Sequence, residues 1–76
     1  MTLAQAVGKR VEQLLKDRNL TQYAFARAAG IPRQTVNIVV KGQHEKVALD
    51  TIYQIAETFE MSLEQFFADP IFDEIN

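Results

Sequence analysis

The sequence contains no cysteine, which excludes a disulfide framework and a thiolate metal site. A chain of 76 residues must then be held by packing between its elements, with roughly 60% of the unfolded surface buried on folding. Long apolar runs are also missing. The longest aliphatic stretch is Ile38-Val39-Val40, far short of a bilayer span, and the opening MTLAQAVGKR has no apolar core of a secretory signal. A soluble cytoplasmic protein without a membrane role is expected. Histidine occurs once, as His44 in a polar stretch, with no second metal-ligand type at helical spacing and no glycine-rich phosphate cradle. No enzyme, cofactor or metal is expected, and carboxylates such as Glu64 and Asp69 read as solubilising charge.

Basic residues are absent from the last part of the chain. All eight Lys and Arg lie within residues 1–46 against three acids, Glu12, Asp17 and Glu45, whereas residues 47–76 carry seven acids. The formal net charge of −2 argues against a nucleic-acid partner, but it averages +5 on one part with −7 on the other. Such a molecule has a basic side suited to phosphate, unless the segregation is chance in a short chain.

Helical periodicity accounts for the apolar residues and no segment reads as a hairpin, so the fold class is all-α. Val7, Val11, Leu14 and Leu15 form the stripe of a first helix that stops at Asn19. Thr21 caps a second helix over about 22–29, with Leu20 and Phe25 as its staple, and Gly30 ends it. Pro32 suits a first helical turn, which predicts a third helix over about 32–41, ending before Gly42. So short a connection forces the second and third helices to cross at a wide angle. After a polar loop, Leu49, Ile52, Tyr53, Ile55, Ala56 and Phe59 give the apolar face of a fourth helix. Ser62-Leu63-Glu64-Gln65 is a capping box that starts a fifth, stapled by Met61 and Phe66. Residues 1–68 then form one domain, followed by an apolar and acidic tail, 69–76.

Leu20-Thr21-Gln22, Phe25-Ala26, Gly30-Ile31, Thr35-Val36, Val39, Lys41-Gly42, Leu49, Thr51-Ile52, Ile55-Ala56, Phe59, Ser62-Leu63 and Phe66-Phe67 follow one another at a characteristic spacing. In this order they resemble the Cro/C1-type helix-turn-helix family, the Xre-like phage and bacterial repressors. The resemblance implies a compact five-helix, lambda-repressor-like domain that binds double-stranded DNA as a transcriptional regulator, with the third helix in the major groove and a homodimer on a symmetric operator.

On the third helix Val36, Val39 and Val40 face the core, leaving Arg33, Gln34, Asn37, Ile38 and Lys41 outside. Arg33, Gln34 and Asn37 have the chemistry to read guanine and adenine edges, and Ile38 to pack on a thymine methyl or, instead, under the loop that follows. By the resemblance, Gln22 bonds a phosphate and braces Gln34, while Thr35, Lys41, Gln43 and Lys46 hold the backbone; Lys9 and Arg10 add only non-specific attraction. A solvated helix face is the plain alternative for each polar residue. A protein-interaction module, or an antitoxin-type partner, on the same fold is the alternative function, supported by the net acidity and the apolar tail.

The tail offers Asp69 as a cap, Pro70 in a first turn and a stripe of Ile71, Phe72 and Ile75, enough for a short sixth helix. It either folds back onto its own core or presents a dimer or protein-partner interface. Ala48 and Glu60 stand where the resembled family favours a capping Ser and a helix-ending Gly, at about 1 kcal/mol each. Pro32 replaces a capping residue that touches phosphate. The buried Arg–Glu ion pair common in that family falls on Leu15 and Val40, both exchanged for aliphatics, so neither charge is stranded. Stability should therefore respond less to salt than in the double variant Leu15→Arg/Val40→Glu, a difference that urea midpoints at low and high salt will show.

Overall fold

The computed structural model describes residues 1–43 and 48–76. Its elements are α1 (Leu3–Asp17), α2 (Gln22–Ala29), α3 (Arg33–Val40), α4 (Leu49–Thr58) and α5 (Leu63–Phe66), then a 3-10 helix, Pro70–Glu74. There is no strand among the described residues, and the all-α, five-helix expectation with a short sixth element holds.

Local chemistry sets most helix starts. Thr21 accepts the Ala24 N–H ahead of α2, and Ser62 with Gln65 closes a reciprocal capping box ahead of α5. A second such box, Thr2 with Gln5, starts α1 and was not read from the sequence. Pro32 stands one position earlier than expected, at the N-cap of α3 with ψ 137°, so the helix begins at Arg33. Neither Pro32 nor Ala48 supplies a side-chain cap.

Helix ends share one device. Asn19, Gly30, Gly42 and Glu60 all have positive φ, between 54° and 69°. Beyond each, an N–H turns back to a carbonyl five residues earlier: Leu20 to Leu15, Ile31 to Ala26, Gln43 to Ile38 and Met61 to Ala56, at 2.9–3.3 Å. Left-handed geometry costs glycine nothing, but a residue with a Cβ about 1–2 kcal/mol, so Glu60 carries strain.

The largest fully buried side chains, Val11, Phe25, Val36, Ile55 and Phe66, come one from each α-helix. Phe25 stacks on Phe59 with centroids 4.5 Å apart and planes 22° from parallel. Leu15 belongs to this cluster and Val40 packs half-buried against it; no polar or charged residue is buried among those described. Two residues assigned to the apolar face of α4 lie outside the core, since Leu49 is 73% and Tyr53 53% exposed. Both sit in the first turns of α4, on its flank, whereas Ile52, Ile55, Ala56 and Phe59 meet the other helices.

The tightest approach is between α1 and α3. A Cβ built on Gly8 would stand 2.5 Å from the Val39 carbonyl oxygen and 2.6 Å from that of Val40, so only glycine admits this crossing. The turn after α3 is equally close, with a Cβ on Gly42 lying 2.9 Å from Gln5 Cα.

The tail packs on α1 through Arg10, which corrects the expectation that Arg10 adds only non-specific attraction. Its Nε donates to the Phe66 carbonyl at 2.7 Å, Nη2 to the Gln65 carbonyl at 3.0 Å, and Nη1 lies 3.4 Å from the Asp69 carboxylate. Phe72 joins Phe66 and Phe67 in an aromatic group, and the Met1 amine meets the Glu74 carbonyl at 3.3 Å. Arg18 makes the matching tie at the other end of α1, donating to the Phe59 carbonyl at 3.1 Å above the Phe59 ring.

Two substitutions should move stability in opposite directions. Gly8→Ala forces backbone apart and should cost about 2 kcal/mol despite alanine's better helix propensity. Glu60→Gly removes left-handed strain and should gain about 1 kcal/mol. Urea midpoints of the two variants check both signs; a Gly8→Ala midpoint at or above that of the unaltered chain would refute the first.

Candidate nucleic-acid interface

The turn between α2 and α3 consists of Gly30, Ile31 and Pro32. Gly30 reverses the chain with φ 69°, Ile31 plugs into the core, and Pro32 fixes the extended approach to Arg33. The end of α2 is braced from the side by Gln54 of α4, whose Nε2 donates to the Ala29 carbonyl at 2.7 Å. Val36 and Val39 turn inward, and the C-terminal turn of α3 rests on Gly8. The N-terminal end of α3 is thereby left at the surface.

Arg33 and Gln34 are exposed there, Thr35 is half-buried on the same turn, and Lys41 and Gln43 are exposed past the helix end. Lys46 and His44 lie outside the described residues. Asn37 and Ile38 are half-buried, not fully turned out as the helical wheel implies. Asn37 is the residue that Gln22 holds: its Nδ2 donates to Gln22 Oε1 at 3.1 Å. This corrects the expected Gln22–Gln34 brace. Residues 34 and 37 are neighbours on one helix face, and the point where α2 crosses α3 selects the second turn rather than the first. Gln22 keeps its amide donors and Asn37 its carbonyl oxygen and one N–H, so the pair retains atoms for an outside partner.

Two residues at this edge escaped the sequence reading. Tyr23 lies on the exposed side of α2, with the guanidinium carbons of Arg27 and Arg33 at 5.7 and 5.9 Å from its ring centroid. The spacing of Tyr23 and Arg27, one helical turn, was a readable signal; the convergence of Arg33 from the next helix was not.

Ion pairing among the described residues is confined to Arg10–Asp69 and Lys16–Glu12, the latter exposed at 3.9 Å. Arg27, Arg33, Lys9 and Lys41 have no carboxylate partner there. Lys9 and Lys41 line an open cleft of about 290 Å³ between α1 and the end of α3, together with Met1, Gln5, Glu12 and Val40. Positive charge thus lies without a carboxylate partner at the α2–α3 edge, at Arg27 and Arg33, an arrangement that attracts phosphate. No three His, Asp or Glu side chains converge among the described residues to hold a metal, and none of their helices is long and apolar enough to cross a membrane.

A family model described as a Cro/C1-type HTH DNA-binding domain matches residues 10–70, most of the chain. No curated protein and no solved structure matches it.

The Gln22–Asn37 bond spans the helix-turn-helix and should couple its two helices. A double-mutant cycle with Gln22→Ala and Asn37→Ala should return a coupling of about 1 kcal/mol in urea denaturation. Additive losses would mean that the pair does not join them.

Proposed function

The chain belongs to the Cro/C1-type helix-turn-helix family of DNA-binding domains, and on that premise we propose that it is a sequence-specific transcriptional regulator, a dimeric cytoplasmic repressor reading the major groove with α3. One observation carries the reading. Within the family-matched segment, α3 is held to α1 at its C-terminal turn and exposes Arg33 and Gln34 at its N-terminal end. Recognition helices of this kind read bases with their N-terminal residues.

Arg33 pairs with guanine O6 and N7, and Gln34 with adenine N6 and N7. Asn37 takes a base edge with the atoms that Gln22 leaves free, and Ile38 covers a thymine methyl with its exposed part. Gln22 donates to a phosphate through the amide not used on Asn37. Thr35, Lys41, Gln43 and Lys46 contact the backbone and fix register. Two copies reach half-sites one helical turn apart, about 34 Å, a distance that suits a body with extents of 32 × 22 × 22 Å. The acidic residues of α4, α5 and the tail belong to sequence away from the reading helix, which orients the molecule in the field of the duplex.

Selection of bound sites from random DNA should return a two-fold-symmetric sequence with guanine opposite Arg33 and adenine opposite Gln34. Arg33→Ala should lose about 1–3 kcal/mol on the selected site and relax the guanine position. Lys41→Ala should weaken binding to all sequences alike and reduce the salt slope by about 1. Fluorescence anisotropy titrations at several salt concentrations measure both, and binding without sequence preference or salt dependence would overturn the proposal.

A further inference from the structure

Tyr23 is a large aromatic residue that does not serve the core, being 54% exposed on α2. Its ring instead collects two cations, Arg27 from one turn further along the same helix and Arg33 from across the turn. Two like charges sharing one ring repel each other. Neither has a carboxylate within ion-pair distance among the described residues, so nothing described in the fold neutralises the cluster. A concentration of positive charge at the surface without an internal counterion is satisfied by an anion from outside.

The chemistry of the guanidinium divides the labour further. A cation–π contact uses none of the guanidinium N–H groups as hydrogen-bond donors, and those N–H groups are what bond guanine O6 and N7 or a phosphate. A long side chain already restrained on the ring also loses less rotamer freedom when it binds. Next to Tyr23, Gln22 is tied to Asn37. The start of α2 therefore supports two of the α3 side chains aimed at bases, Asn37 by hydrogen bonding and Arg33 by a cation–π contact.

We infer that Tyr23 is the positioning residue that orients Arg33 for guanine, and that Arg27, on the same ring, contacts a backbone phosphate; the inference rests on the DNA reading proposed above. Tyr23 sets specificity through Arg33 without touching the base. Arg27 sets affinity without sequence preference.

The test compares the full chain with Tyr23→Phe, Tyr23→Leu, Arg27→Ala and Arg33→Ala, by selection from random DNA and by salt-dependent titration on the selected site. Tyr23→Phe keeps the ring and should match the unaltered chain within about two-fold. Tyr23→Leu should bind the selected site about five-fold more weakly and lose guanine preference at the Arg33 position, as Arg33→Ala does. Arg27→Ala should weaken selected and random DNA equally and lower the slope of log K against log salt by about 0.9. Thermal melts accompany each variant, and Tyr23→Gln takes the place of Tyr23→Leu if the latter does not fold.

Full guanine preference in the ring-less variant would overturn the positioning role, and an unchanged salt slope in Arg27→Ala the phosphate contact. If the unaltered chain selects no sequence, the DNA reading itself fails and this inference with it. If it selects one and the Tyr23 and Arg27 variants behave like it, this inference alone fails.

Discussion

The placement of α3 depends on the contact of Gly8 with its last turn. The carbonyl oxygens of Val39 and Val40 approach α1 so closely that no side chain fits between, and Gly42 brings the following turn down on Gln5 in the same way. α3 has only 8 residues, about 12 Å of helix, so a small tilt where it is held becomes a displacement of the same order at Arg33. Rigid contact between two backbones tolerates less tilt than contact between side chains. A glycine in the middle of a helix, unfavourable by about 1 kcal/mol in isolation, is thus the condition for the defined position of Arg33 and Gln34.

The cations do two kinds of work, which the separation of charge along the chain conceals. Arg10 and Arg18 lie on α1 and donate to the carbonyls that end α5 and α4, the groups a helix cannot satisfy internally. They fasten the acidic C-terminal half to α1 and are part of the fold. Arg27, Arg33, Lys9 and Lys41 remain for the outside. The excess of +5 in residues 1–46 therefore counts two cations that the fold itself uses.

What could be read from the sequence was what neighbouring residues determine. Thr21, Gly30 and Ser62 announce helix ends within four residues of themselves, and the periodicity from Val7 to Leu15 needs no partner to be recognised. Gly8 was invisible because its reason lies in Val39 and Val40, more than thirty residues away. The tail was undecided for the same cause, since its tie to Arg10 through Asp69 runs over 59 residues with no local pattern to announce it. Leu49 and Tyr53 were misplaced because period alone does not say how far along a helix its partners extend. The Gln22 brace was assigned to the wrong residue of one face, since the crossing point of two helices is a tertiary quantity.

The pattern of caps bears on the reading end as well. α1, α2 and α5 begin with a hydroxyl that accepts a backbone N–H, whereas α3 and α4 begin at Pro32 and Ala48 without one. The first bonded amides of α3 are those of Thr35 and Val36, which both reach the Pro32 carbonyl, so the amides of Arg33 and Gln34 stand ahead of the first helical bond. Loss of the capping residue removes one side-chain contact, but it leaves those amides at the positive end of the helix dipole without a competing acceptor from the chain. The proline that interrupts the resembled pattern therefore weakens the free helix end and agrees with the role proposed for it.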